Sequence, residues 1–194
     1  MSILNTALIL TFNVFVIVGV VFLLTRTEFF KDIRESTPTF RSQAILILVL
    51  GAISVFATYS GVEIGGAIAN VRDLAPMIGG LIGGPVVGLG AGLIGGIHRY
   101  FLGGFTAFPC SMATVLAGLF GGIIYYLNRK RFIGIFGSVV FAVFMEAIHM
   151  GLILFTAQPY ERAVALVNEI SIPMMLLNSL GMLIFALLFI KHRV

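Results

Sequence analysis

The chain is a series of long apolar runs punctuated by short charged clusters. Residues 1–25 carry no charged side chain, and Arg26 closes that run. Uncharged stretches follow at 42–62, 74–97, 105–127 and 170–190, and 132–156 is apolar apart from Glu146 and His149. Each is long enough for a helix through a hydrocarbon core of about 30 Å. Counted directly, the pattern predicts six spans.

Charge changes that count. The positive residues Arg26, Lys31, Arg34 and Arg41 follow the first run, with no basic leader before it and no small-x-small cleavage site. This favours an uncleaved first helix, N-terminus outside and the 26–41 loop inside. With six spans the twelve Lys and Arg residues divide six against six, whereas cytoplasmic loops carry an excess. Breaking the glycine-rich stretch at Gly83-Gly84-Pro85 gives two short helices, roughly 66–82 and 85–101. Seven crossings result. The loop at 26–41, the Arg129-Lys130-Arg131 turn and the tail with Lys191, His192 and Arg193 then lie inside, and the division becomes nine against three. Arg72, Arg99 and Arg162 fall outside.

Composition agrees. Of 194 residues, 59% are hydrophobic and 10% charged, against about 25% charged in soluble domains. A cytosolic enzyme, a nucleic-acid reader and a disordered regulator are excluded together, and the lipid bilayer is the expected surrounding. The single cysteine excludes an internal disulfide framework and a cysteine-only metal cluster. The expected fold is all-α and polytopic.

Gly80, Gly84, Gly88, Gly92 and Gly96 recur every four residues, and Gly118 and Gly122 repeat the spacing. Small residues so spaced share one helix face and let helix backbones approach closely in lipid. They read as a packing stripe. Around it lie Asn70-Val71-Arg72-Asp73, Gly83-Gly84-Pro85-Val86-Val87-Gly88, Gly95-Gly96-Ile97-His98-Arg99-Tyr100 and Gly103-Gly104-Phe105-Thr106-Ala107. Further on come Glu146-Ala147-Ile148-His149-Met150, Pro159-Tyr160-Glu161 and Ile172-Pro173-Met174, with Asn178 and Gly181. In that order these runs resemble the 5TMR-LYT membrane domain, the N-terminal sensor of LytS-type bacterial histidine kinases, over nearly the whole chain.

The resemblance implies a bacterial inner-membrane receptor domain, a homodimer, and a last helix leading to a cytoplasmic kinase or other output domain with a cognate response regulator. That output domain is not within the 194 residues. It also suggests a small extracellular carboxylate, such as pyruvate, as ligand. The glycine and proline pattern further resembles the S-components of vitamin transporters, in which six helices enclose an outward pocket. On that analogy 1–25 is an extra helix and 42–194 the pocket-bearing bundle, one domain in all.

Ionisable residues at membrane depth are costly and face a cavity or a partner. Arg72 and Arg99 fall at the outer end of the short-helix pair, where two guanidinium forks would match a small carboxylate. The structural alternatives pair Arg72 with Asp73 or Glu63, and Arg99 with Glu146. Thr106, Cys110 and Thr114 form one polar helix face, and Pro109 would loosen the backbone beside Cys110 and free a carbonyl. Glu146 and His149, three apart, share a face and either complete the pocket wall or bond between helices. Asn70 joins this ligand-binding set. Asn178 reads as interhelical glue or a packing switch.

No metal is expected, because a carboxylate-bridged site needs a second Glu-x-x-His and two more glutamates, and a His98, Cys110 and His149 set is loosely spaced. No cofactor and no nucleic-acid partner are implied. The outer loop 158–169, with Glu161, Arg162 and Glu169, reads as solvated surface. Without a nucleophile–base pair or phosphate loop the chain is not expected to be an enzyme. The leading reading is a metabolite receptor, and the alternative is a transporter-type substrate-binding subunit.

Overall fold

The computed structural model describes residues 3–27 and 39–191, with side chains from Leu8 onward. Lys31 and Arg34, most of the 26–41 loop, His192 and Arg193 lie outside the described residues. Among the described residues, six helices and one small sheet follow in order: α1 (Ile3–Leu24), α2 (Phe40–Tyr59), β1 (Val62–Ile64), β2 (Ala67–Ala69), α3 (Leu74–Phe101), α4 (Ala107–Leu127), α5 (Gly134–Thr156) and α6 (Tyr160–Lys191). Helices α2 to α6 are each long and apolar enough to cross a membrane, and α1 adds an apolar run at Leu8–Leu24. Large apolar side chains such as Phe12, Leu48, Phe144, Phe155 and Ile172 point outward. In water such a surface would aggregate, whereas acyl chains solvate it.

α3 doubles back on itself. Gly84 has φ 80° and ψ −174°, outside helical space and in the region glycine adopts without steric cost. Pro85 then opens the second arm, where its missing N–H costs nothing. The backbones of Gly80 and Gly88 touch although they are eight positions apart, so the arms 74–83 and 85–101 run antiparallel. The break expected at Gly83-Gly84-Pro85 is present.

The first arm, however, begins at Leu74 and not near Gly66. Gly65 and Gly66, with φ 57° and 81°, form the two-residue turn of an antiparallel hairpin pairing Val62 with Ala69. Two successive positive φ values suit such a turn and stop a helix. Ten helical residues rise only about 15 Å, half the depth of the hydrocarbon. Residues 70–73 therefore descend into the bundle as irregular backbone, which membranes tolerate where protein covers it.

A second boundary also differs from expectation. The stretch 160–169 is the start of α6 and not a loop, because Ala163, Leu166, Ile170 and Met174 recur at helical spacing and bury against Met150 and Ile153.

The two arms of α3 lie between α2 and α4. The glycines set that spacing: a side chain on Gly118 would meet the Gly88 carbonyl, and one on Gly122 would meet Pro85. Arg41, Arg129, Lys130, Arg131 and Lys191 occupy the end of the bundle with the Gly84 turn, hereafter the basic end. The hairpin, the 102–106 loop and the α5–α6 connection occupy the opposite, sheet end. An aromatic and aliphatic core, with Phe132 packed on Phe185 and Phe189, fills the basic half.

Candidate functional site

Most buried polar residues gather in the sheet half. Arg72 is brought there by the irregular 70–73 run. Asn70 shapes that run: its Oδ1 accepts from the Arg72 backbone N–H at 3.0 Å, and its amide donates to the Ile68 carbonyl. Ser54 of α2 donates to the Arg72 carbonyl at 3.3 Å. Asn70 thus positions Arg72 through the backbone.

The Arg72 side chain is fully buried and bridges α2 and α4. Nε donates to Thr114 Oγ1 at 2.8 Å, one terminal nitrogen to Thr58 Oγ1 at 3.3 Å, and the other to the Cys110 carbonyl at 3.4 Å. Nε also lies 3.6 Å from Asp73 Oδ1. Asp73, the residue before the first turn of α3, neutralises the guanidinium in a region where an isolated charge is costly. Thr114 completes the knot by donating to Asp73 Oδ1 at 2.6 Å.

Arg99 is held differently. It sits at the end of the second arm with 1% of its surface exposed. One terminal nitrogen donates to the Gly103 carbonyl at 2.7 Å and the other to Thr106 Oγ1 at 3.0 Å. The loop reaches it because Gly103 and Gly104 take φ 71° and 89°. Its Nε has no acceptor. Among the described residues no carboxylate lies within 4 Å of this guanidinium, so the pairing with Glu146 is not made.

Thr106, Cys110 and Thr114 do share one buried face of α4, and the Cys110 thiol sits beside both Arg99 and His149. Pro109 does not free a carbonyl as expected. It is the third residue of α4, where N–H groups lack intrahelical partners in any case.

On α5, Glu146 and His149 face the same knot. His149 Nδ1 lies 3.1 Å from Asp73 Oδ2 and 3.8 Å from Glu146 Oε2. These are close approaches and not aligned hydrogen bonds, because neither His149 nitrogen and neither Glu146 oxygen has a partner in hydrogen-bond geometry. His98 stands apart, its ring 4.9 Å from that of Tyr59, so His98, Cys110 and His149 do not assemble as a set. Asn178 is buried on α6, its amide bonded to the Met174 carbonyl one turn back and its Oδ1 without a partner.

Along the sequence Asp73 stands out only as a possible mate for Arg72, and Thr58 and Ser54 do not stand out. Asp73 is in fact the junction of Arg72, Thr114 and His149. Its adjacency to an arginine in an apolar region was the available signal. For α2 the signal was Ser54 and Thr58 spaced by four.

Together the fold and this cluster define a polytopic helical membrane domain with a buried, mixed-charge polar centre near one end. The chain belongs to the 5TMR-LYT family: the model described as "5TMR of 5TMR-LYT" matches residues 27–192. It is 35% identical over 196 residues to the sensor histidine kinase BtsS of Escherichia coli (strain K12), covering 97% of this chain and 35% of that protein. It is also 35% identical over 191 residues to the sensor protein LytS of Bacillus subtilis (strain 168), covering 89% of this chain and 32% of that one. The sensor histidine kinase YpdA of Escherichia coli (strain K12) is 34% identical over 162 residues, covering 80% of this chain and 28% of that relative. The chain therefore spans about a third of the length of these curated relatives. No solved structure matches it.

Proposed function

We propose that this chain is the receptor domain of a membrane sensor kinase and that it binds a small extracellular carboxylate between Arg99 and Arg72. The observation that carries the reading is Arg99. A guanidinium at 1% exposure, with only neutral acceptors in its hydrogen bonds and Nε without a partner, has the charge and donor capacity to hold an anion. Arg72 is already neutralised by Asp73 and contributes through its long 3.4 Å bond, which a ligand oxygen readily replaces. Thr106 and Cys110 supply the wall between the two.

The clustering of Arg41, Arg129, Lys130, Arg131 and Lys191 at one end supports a cytoplasmic basic end, which turns the polar centre outward. α6 runs from beside the polar centre to that basic end. It is the route by which a ligand-dependent shift would reach a kinase domain, acting in a homodimer with a response regulator downstream. Such signalling requires the ligand to favour one helix arrangement over another. Sensor-kinase relatives favour this reading over a transporter-type subunit, and pyruvate is the first ligand to test.

The test is calorimetric titration of the 194-residue chain in lipid nanodiscs with pyruvate, lactate, acetate and succinate. One of them is expected to saturate. Arg99→Lys keeps the charge and loses the fork, and Arg99→Ala loses both, so affinity should fall stepwise. The full loss is about 10- to 100-fold, as for a charged hydrogen bond. Binding undiminished in Arg99→Ala, or no saturation by any acid, overturns the proposal.

A further inference from the structure

We infer that Asp73, Glu146 and His149 form a binding site for a divalent transition-metal cation, which adjoins the arginine site through Asp73 but does not rest on the carboxylate reading. One donor atom from each residue lies within 4.8 Å of the other two, and all three side chains are buried. Ligands about 2.0–2.2 Å from a zinc-type ion stand roughly 3–3.6 Å apart in tetrahedral or octahedral geometry. The 3.1 Å and 3.8 Å separations from His149 Nδ1 are close to that range. Small rotamer changes close the set.

Two further features point to a cation. Glu146, 1% exposed, has no hydrogen-bond donor for either oxygen, although it is turned toward His149 and Asp73. A buried carboxyl group left without partners is costly in either protonation state, and a bound cation removes the cost. Asp73 also divides its two oxygens: Oδ1 is held by Thr114 and faces Arg72, whereas Oδ2 is turned to His149. Metal-ligating carboxylates are oriented in this way by outer partners.

The donor set is mixed, two carboxylates and one imidazole, which suits Zn²⁺ or Mn²⁺ better than an oxygen-only ion such as Ca²⁺. Three protein ligands leave at least one coordination position open. A dinuclear carboxylate site still lacks its second Glu-x-x-His, so the site is mononuclear.

The experiment titrates the chelator-stripped 194-residue chain in nanodiscs with ZnCl₂, and separately with CoCl₂ while following visible absorption. One saturable Zn²⁺ site per chain, a raised melting temperature and a cobalt ligand-field band are expected. Glu146→Gln, which keeps the side-chain volume, and His149→Gln should each weaken Zn²⁺ by about 10-fold or more, whereas His98→Ala should not. No saturable Zn²⁺ binding by the folded native chain overturns the assignment, as does binding that both substitutions leave intact. Repeating the carboxylate titration in chelator separates the two sites: anion binding there upholds the arginine site whatever zinc does.

Discussion

The two halves of the bundle are held together by opposite means. The basic half closes by shape: Gly80, Gly88, Gly118 and Gly122 bring the α3 arms against α4 backbone to backbone, and Phe132, Phe185 and Phe189 fill the remainder. The sheet half closes by charge and hydrogen bonding through Arg72, Asp73, Thr114 and Thr58. In lipid the first kind of contact gains only dispersion energy and has one good arrangement. The second can exchange partners, because Arg72, Arg99 and Glu146 each have bonding capacity unused or weakly used. The receptor proposed above needs both, a stiff part to transmit and a rearrangeable part to bind.

The largest effect should come from breaking the stiff half. Gly118→Leu places a side chain where the Gly88 carbonyl lies, and backbone cannot swing aside. Overpacking of this severity costs about 3 kcal/mol or more. Gly151→Leu on α5 is the control, because nothing lies within 4 Å of its added carbon. Thermal unfolding in detergent should show loss of the folded domain for the first and little change for the second. Equal melting temperatures would mean that the α3–α4 contact does not limit stability.

Next is the charge knot. Asp73→Asn keeps an acceptor for Thr114 but leaves the buried Arg72 guanidinium without a counter-charge. The expected loss is about 2 kcal/mol, in the range for a hydrogen bond to a charged group. The double variant Asp73→Asn with Arg72→Met should recover part of it, since replacing both members of a buried pair is milder than removing one. No recovery would mean that Arg72 is stabilised chiefly by Thr58, Thr114 and the Cys110 carbonyl.

The stiff half was the more legible in sequence. A four-residue glycine period and a Gly-Gly-Pro break follow directly from helix geometry, and charge asymmetry selected the folded-back arrangement. The limits of the first arm were not legible, because a hairpin of six strand residues is too short to show a period. Gly65-Gly66 was its trace, masked by so many other glycines. In the sheet half residue types were readable and partners were not. Arg72 and Arg99 look alike along the chain, yet one is paired with an adjacent aspartate and the other is not, a difference made by where the 70–73 descent ends. Likewise Glu146 and His149 gave a helix face, but Asp73 reaches them from 73 and 76 positions away.

The smallest effect concerns the surface over the polar centre. Arg162 was expected to be solvated, and it is exposed, but it also ties the sheet end together. Its Nε and one terminal nitrogen donate to the Gly65 carbonyl at 3.2 and 3.0 Å, and its guanidinium lies 4.3 Å from the Phe105 ring centre. One side chain from α6 thereby holds both the hairpin and the loop that carries Gly103 to Arg99. An exposed cation–π contact is worth about 0.5–1 kcal/mol, so Arg162→Ala should barely move the melting temperature. Hydrogen exchange reads the change more finely. Amides of 62–69 and 102–106 should exchange several-fold faster, while those of 114–122, within the glycine-packed half, stay unchanged. Faster exchange in both regions would show that the two halves are not separable, and no change in either would reduce Arg162 to a solvated charge.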